Sequence, residues 1–366
     1  MDSTATPSEH DSRPPMQQTY DIQASYQENY DAGPRFQAKA PAVPETPLKE
    51  FLGLPVRSRI GIAAGLLLNS DWILGYAQRG FDILTYKTVR SAHRPCYPTP
   101  NWVFVDDDGE TAGPAYETKD LPSDPTRVSS AVCFGMPSMA PEIWREDVAR
   151  TKAGLKSGQL LIVSVVATPQ EGWGREEVAG DFANCARWAA EAGADVVEAN
   201  FSCPNVCTPE GTIYQDAELS RFIAEETRMA IDGRPLLLKV GHFPEQEQLR
   251  EFLQAMNGVA RGLTLVNGIS RPVLRRDGNA VFGEQYRTAG VLGRAIHQPS
   301  VDNVAFATSI IREEQFDLAI AAVGGVSHPQ DAEDFFAAGA DAVMLGSSPM
   351  YLPDLAVQLK SANPGW

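Results

Sequence analysis

Cysteine is scarce in this chain, with five in 366 residues: Cys96, Cys133, Cys185, Cys203 and Cys207. So odd and sparse a set makes no disulfide framework and fits a reducing compartment, with the cytoplasm as the default. Cys203 and Cys207 stand four apart, but no second Cys or His pair completes a metal site and an iron–sulfur cluster needs more thiolates, so no metal is expected. Basic residues are in deficit too, 31 Lys and Arg against 47 Asp and Glu for a net charge of −16. Those present do not cluster, which argues against nucleic acid as a partner. No run approaches the roughly 20 apolar residues of a membrane span, so no membrane partner is expected. The first 46 residues also lack the apolar core of a signal peptide.

What is there begins at about residue 47. Residues 1–46 are rich in Ser, Thr, Pro, Gln and acidic side chains with scattered tyrosines and no periodicity, and are expected to be disordered or draped on the surface. Beyond them short apolar runs, at 59–63, 82–87, 160–166, 195–200, 235–240, 262–266, 318–323 and 341–345, alternate with amphipathic stretches at 70–78, 141–155, 180–192, 217–231, 245–256, 300–313, 329–338 and 353–360. Gly80, Gly193 and Gly339 follow three of the helical stretches as C-terminal caps. Eight strand-then-helix units with near-continuous apolar strands predict an α/β fold, a (β/α)8 TIM barrel over 47–366. One interruption, 91–134 after strand two, is too long for an ordinary loop and is expected to form an insertion or lid on the C-terminal face. Its acidic run, Asp106-Asp-Asp-Gly-Glu110, reads as a solvated turn because its spacing does not match a calcium loop.

The strand ends carry the chemistry, because in such a barrel they converge on one mouth. Strand four runs into Glu198-Ala-Asn200-Phe-Ser202-Cys203-Pro-Asn205, which offers two amides, a hydroxyl and a thiol able to exchange a proton. Strand two ends in Lys87-Thr88, strand five in Lys239 and strand six in Asn267-Gly268. A lysine closing a buried strand must meet water, a charge or a ligand. Gly324-Gly325 after strand seven and Gly346-Ser347 after strand eight occupy the usual phosphate position of a barrel, and Gly290 and Gly293 could complete that cradle. Ala63-Ala64-Gly65 is a strand end without bulk, where a flat ring could lie against the backbone or a helix could pack closely.

The tract Asn200-Phe-Ser-Cys-Pro-Asn205 resembles the Asn-Leu-Ser-Cys-Pro-Asn signature of class 1 dihydroorotate dehydrogenases and the related dihydropyrimidine dehydrogenase domain. The resemblance extends over most of 55–360. It implies an FMN enzyme of pyrimidine biosynthesis, acting on a small-molecule substrate as a homodimer. Residues of the flavin side would be Ala63, Ala64, Gly65, Lys87, Asn200, Lys239, Gly290, Gly293, Gly324, Gly325, Gly346 and Ser347. Those of the substrate side would be Lys87, Phe134, Gly135, Met136, Asn200, Asn205, Asn267 and Gly268. Cys203 would be the general base that takes a proton from the ring carbon while hydride passes to flavin N5. Lys87 and Lys239 would stabilise the negative charge of the reduced flavin. Two positions depart from the family pattern: Val132 stands where an asparagine grips the pyrimidine, and Gly268 where serine is usual. The alternatives are a different unsaturated or dihydropyrimidine-like substrate, a flavin-free phosphate-binding lyase or isomerase forming a Schiff base on Lys239, and a non-catalytic scaffold.

Overall fold

The computed structural model describes residues 18–107, 109, 111–202 and 212–366. It opens with helix α1 (Tyr26–Ala32) and the hairpin β1 (Lys49–Phe51)–β2 (Leu54–Val56), followed by β3 (Ile60–Ile62), α2 (Ser70–Ala77) and β4 (Ile83–Val89). An excursion through β5 (Trp102–Asp106), β6 (Ala115–Glu117) and β7 (Ser129–Val132) precedes α3 (Pro141–Gly154). The alternation resumes with β8 (Leu160–Val165), α4 (Arg175–Glu191), β9 (Val196–Asn200), α5 (Ala217–Met229), β10 (Leu236–Lys239), α6 (Gln246–Met256) and β11 (Gly262–Leu265). A second excursion, β12 (Ile269–Leu274) and β13 (Thr288–Gly293), leads to α7 (His297–Glu314), β14 (Ala319–Val323), α8 (Pro329–Ala337), β15 (Ala342–Leu345) and α9 (Leu355–Ala362).

Strands β3, β4, β8, β9, β10, β11, β14 and β15 close in that circular order into a parallel barrel, at the positions that the apolar runs predict. Inward residues alternate with outward ones. Ile83, Ile162, Val196, Leu237, Ala321 and Met344 form one inner cluster, into which Phe51 and Val56 of the β1–β2 hairpin pack. The hairpin turns at Leu52 and Gly53, both at positive φ (54° and 79°), as a two-residue turn between twisted strands requires. Immediately ahead of β3, it stoppers the end where the strands begin.

The opposite end is built differently from expectation. Interruption 91–134 supplies β5, β6 and β7, which join β12 and β13 in a second, five-stranded closed sheet ordered β12-β13-β7-β5-β6. The strands β12 and β13 fall in a connection that composition disguised: Arg271 and Pro272 interrupt one apolar run, and Gly290 and Gly293 read as a phosphate cradle. An ion pair 2.6 Å long between the buried side chains of Arg271 and Asp107 ties the two excursions together.

Of the segment expected to be disordered or draped, residues 18–46 lie against the rest of the chain, and residues 1–17 lie outside the described residues. Tyr20 is fully buried, with its ring 5.3 Å from that of Trp102 and 6.0 Å from those of Trp72 and Phe134. The Thr19 amide donates to Met350 O at 2.8 Å, and α1 starts with a Ser25–Glu28 capping box. Aromatic rings spaced without periodicity supply the burial, which is why a polar composition concealed it. Helix α4 starts at Arg175, five residues ahead of the predicted 180, because the Glu177 side chain accepts the Gly174 N–H at 2.9 Å.

Among the described residues the Tyr20 hydroxyl has no hydrogen-bond partner, so the ring and not the oxygen carries its contribution. Tyr20→Ala should therefore cost about 3–5 kcal/mol of unfolding free energy, as large aromatic truncations do. Tyr20→Phe should stay within about 0.5 kcal/mol of the parent or exceed it. Urea unfolding of both variants checks this, and a large loss in the phenylalanine variant contradicts it.

Candidate active site

At the C-terminal ends of the barrel strands, beneath the second sheet, lies a cavity. The two-residue period of the strands aims Lys87 of β4, Asn200 of β9 and Lys239 of β10 into it, and all three are buried. The Lys239 ammonium donates to Ala64 O at 2.9 Å. Because β10 and β3 stand opposite each other in the circular order, this side chain crosses the mouth and forms part of the cavity floor. It also pins Ala63-Ala64-Gly65, which lines the same cavity.

Two asparagines brace the chain as it leaves β9. The Ser202 amide donates to Asn200 Oδ1 at 3.1 Å, and Asn267 Nδ2 donates to Ser202 O at 2.6 Å. Asn267 Oδ1 in turn accepts the Gly268 N–H at 2.9 Å. Asn200 Nδ2 donates to Thr88 Oγ1 at 3.3 Å and approaches Met136 Sδ at 3.8 Å. One layer below, Glu198 is buried, and its Oε2 accepts from Thr264 Oγ1 at 2.6 Å.

The far end of the cavity is lined by Gly293, Gly324, Gly325, Gly346 and Ser347. A Cβ on Gly324 would lie 2.1 Å from Ser300 Oγ, and Gly325 sits at φ +66°, so this turn admits no ordinary side chain. At Gly65 and Gly346 the opposite holds: a Cβ would meet no protein atom within 4 Å and would project into space the cavity keeps open. Bare backbone next to open volume, at the start of a barrel helix, suits a phosphate at one end and a flat ring at the other. Asp331 holds the turn after β14: its Oδ2 accepts the N–H groups of Ser327 and His328, each at 2.9 Å, and its Oδ1 accepts from Arg294 at 2.7 Å. His297 Nδ1 donates to Gly324 O at 3.0 Å, and its Nε2 faces Asp334 at 3.2 Å. Asp331, Asp334 and His297 are thus engaged in shaping that turn.

Ala63, Ala64, Gly65, Lys87, Phe134, Met136, Asn200, Lys239, Asn267, Gly268, Gly293, Gly324, Gly325, Gly346 and Ser347 meet in this one cavity. Two predicted residues do not line it. Gly290 lies within β13, opposite Val132 and Ser270, and a Cβ on Gly135 would strike the Tyr97 ring at 2.5 Å, outside the cavity wall. Cys203 and Asn205 lie outside the described residues. Trp102 and Leu292 of the second sheet were missed because their strands were, although Trp102-Val-Phe-Val carries a strand-like run. Neither Cys96 nor Cys185 lines the cavity, and burial pushes both thiols up, that of Cys96 to about 11.

The dihydroorotate dehydrogenase family model matches residues 135–360. A dihydroorotate dehydrogenase of Dictyostelium discoideum is 32% identical over 363 residues, spanning 94% of this chain and 97% of that protein. The chain belongs to the dihydroorotate dehydrogenase family. It is accordingly an oxidoreductase of that flavin-dependent type on a TIM barrel. The catalytic subunit of dihydroorotate dehydrogenase B (NAD(+)) from Maridesulfovibrio salexigens is 28% identical over 207 residues, covering 56% of this chain and 62% of its own length. The crystal structure of the enzyme of Eimeria tenella in complex with ferulenol shares the fold, with a TM-score of 0.68 at 18% identity over 84% of this chain and 81% of that one.

Since one carboxylate holds two backbone amides and an arginine, Asp331→Ala should cost about 3 kcal/mol. Urea unfolding measures it, and an unchanged midpoint would show that the turn after β14 does not need the carboxylate.

Proposed function

We propose that the protein is an FMN-dependent oxidoreductase that adds or removes hydrogen across a carbon–carbon bond next to a carbonyl, in the manner of dihydroorotate dehydrogenases, the enzymes of pyrimidine biosynthesis. The observation that carries this reading is one cavity with the bare glycine backbone of Gly324, Gly325 and Gly346, followed by Ser347, at one end, and two buried lysines with an asparagine at the other. In this reading the glycine end and Gly293 bind the phosphate, and Ala63, Ala64 and Gly65 lie against the ring. FMN supplies the hydride chemistry at N5. Lys87 and Lys239 stabilise the negative charge that develops beside them in a cavity shielded from water. Lys239 is already engaged with Ala64 O, which speaks against its use as a Schiff-base amine.

Phe134, Met136, Asn200, Asn205, Asn267 and Gly268 form the substrate side. Cys203 takes or returns the proton at the substrate carbon; the residue before it, Ser202, is held at both its N–H and C=O by Asn200 and Asn267. The second sheet, built from 91–134 and the connection after β11, covers the site. Residues 47–366 act as one barrel domain with 18–46 laid against it. No helix among the described residues is long and apolar enough to cross a membrane. A cytoplasmic homodimer is the corresponding setting.

Purified protein should be yellow, or become so with added FMN. Gly346→Val should keep the unfolding midpoint of the parent, since its side chain meets no protein atom near Cβ, yet fail to take up FMN at concentrations that saturate the parent. A yellow valine variant would remove Gly346 from the cofactor site.

Flavin reduction followed anaerobically by stopped flow tests the base. Cys203→Ala should retain FMN and slow the chemical step by about 10²–10⁴-fold. The parent rate should rise with pH towards the thiol's ordinary pKa of ~8.5, as the thiolate is the acting form. An unchanged rate in the alanine variant would sink the assignment.

A further inference from the structure

We propose that His297 is a positioning residue for the phosphate end of the cavity: as a buried imidazolium it holds the Gly324–Gly325 peptide with its N–H towards the cavity, so that the grip on an anionic phosphate depends on one proton. The proposal rests on the flavin reading above for the identity of that phosphate. It adds a residue that does not itself line the cavity.

Both ring nitrogens of His297 face acceptors. Nδ1 lies 3.0 Å from Gly324 O, and Nε2 lies 3.2 Å from Asp334 Oδ2 and 3.7 Å from Asp331 Oδ1. A carbonyl and an ionised carboxylate have no proton to offer, so a neutral ring, with a single N–H, would set a lone pair against one of them. The doubly protonated ring donates to both. The side chain is only 3% exposed and its ring meets Phe335 edge-on, so water does not take the place of either partner.

The charges around the ring balance in that form alone. Arg294, just ahead of α7, and Asp331 and Asp334 of α8 are the charged groups that face it. Strand β14 brings only Ala, Ile and Val and β11 only Gly, Leu and Thr. Helix α6 meets α7 at its far end, through Arg250 with Glu313 and Glu314, and the exposed His328 is turned to the Gln330 N–H. Burial works against the Asp334 carboxylate, yet hydrogen bonds from Gln330 and His297 hold its pKa below the usual range. With His297 charged, two cations meet two carboxylates. Without that proton a net negative charge stands behind the turn.

Holding the Gly324 oxygen orients a whole peptide unit. The Gly324–Gly325 bond is trans, so its N–H points opposite to its C=O. With the oxygen turned back to His297, the Gly325 N–H is turned away from the ring, to the side on which Gly324 and Gly325 line the cavity. Glycines at both ends let this peptide plane rotate easily, since neither has a Cβ to forbid the alternative. Rotated, it would offer an anion a carbonyl oxygen in place of an amide. The helix start sits directly behind it: a Cβ on Gly325 would lie 2.8 Å from His297 Cβ.

The test titrates flavin-stripped, full-length protein with FMN and with riboflavin, which has the ring but no phosphate, between about pH 6.5 and 9. In the parent, FMN binding should weaken about tenfold or more as pH rises, while riboflavin binding stays level. The second ionisation of the phosphate, near ~6, acts in the opposite direction. His297→Gln, which can still donate to Gly324 O but carries no charge, should bind FMN about tenfold more weakly at the acid end, lose the pH dependence and leave riboflavin unchanged. An FMN affinity in the parent that does not fall with pH, an equal fall for riboflavin, or a folded variant that keeps the parent's profile would each overturn the proposal. Nitrogen NMR of histidine-labelled parent, with His297 assigned as the ring whose signals the variant lacks, reads the charge without any flavin. Both nitrogens should be protonated at neutral pH, and a neutral tautomer overturns the proposal. Protein that takes up neither flavin counts against the flavin reading instead, and the charge on His297 is still decided by the NMR.

Discussion

An ammonium group buried at the end of a barrel strand has to be solvated by something, and Lys239 meets that demand through the carbonyl of Ala64 on the far side of the mouth. That one contact joins opposite strands, holds the small-residue turn after β3 in place and leaves a positive charge at the bottom of the cavity. With Lys87 and Asn200 brought in by the same strand alternation, the site is a consequence of how a parallel barrel disposes of its polar strand ends. Below it the inner cluster is almost wholly apolar and closed by the β1–β2 hairpin, so water and polar ligands are confined to the upper end.

The barrel was legible because its strands are buried on both faces and so read as continuous apolar runs, each followed by a helix with a recognisable start or stop. Gly80, Gly193 and Gly339 do sit at positive φ just beyond α2, α4 and α8. The polar strand ends were legible for the converse reason: Lys87, Asn200 and Lys239 stand at the C-terminal ends of runs that are otherwise mostly apolar. What stayed hidden were elements whose burial comes from pairing with distant segments. Strand β13 meets β7 across more than 150 residues of sequence, and its glycines signal a turn until that partner is known. Tyr20 likewise finds Trp72, Trp102 and Phe134 only in three dimensions. Gly290 was misplaced for this reason: it is a ladder residue of β13, paired with Val132 on one side and Ser270 on the other.

The two halves of the cavity differ in character. Around the glycines the structure is tightly determined, with Asp331 and His297 fixing the turn after β14 and Ser300 leaving no room at Gly324. On the side of the second sheet the surface is hydrocarbon, contributed by residues that also hold that sheet together. In the function proposed above, cofactor binding and substrate choice would be carried by different layers of the protein, so that the second could change without disturbing the first.

The second sheet leaves the barrel from β4 and from β11, which are diametrically opposed in the circular strand order. A roof tied to a rim at two facing points does not swing like a hinged door. Traffic to the interior has to pass through one of the two gaps between the moorings. The gap over β14, β15 and β3 is occupied by the glycine turns and by Asp331 and His297, which brace them, so on that side the rim beneath the roof is held rigid.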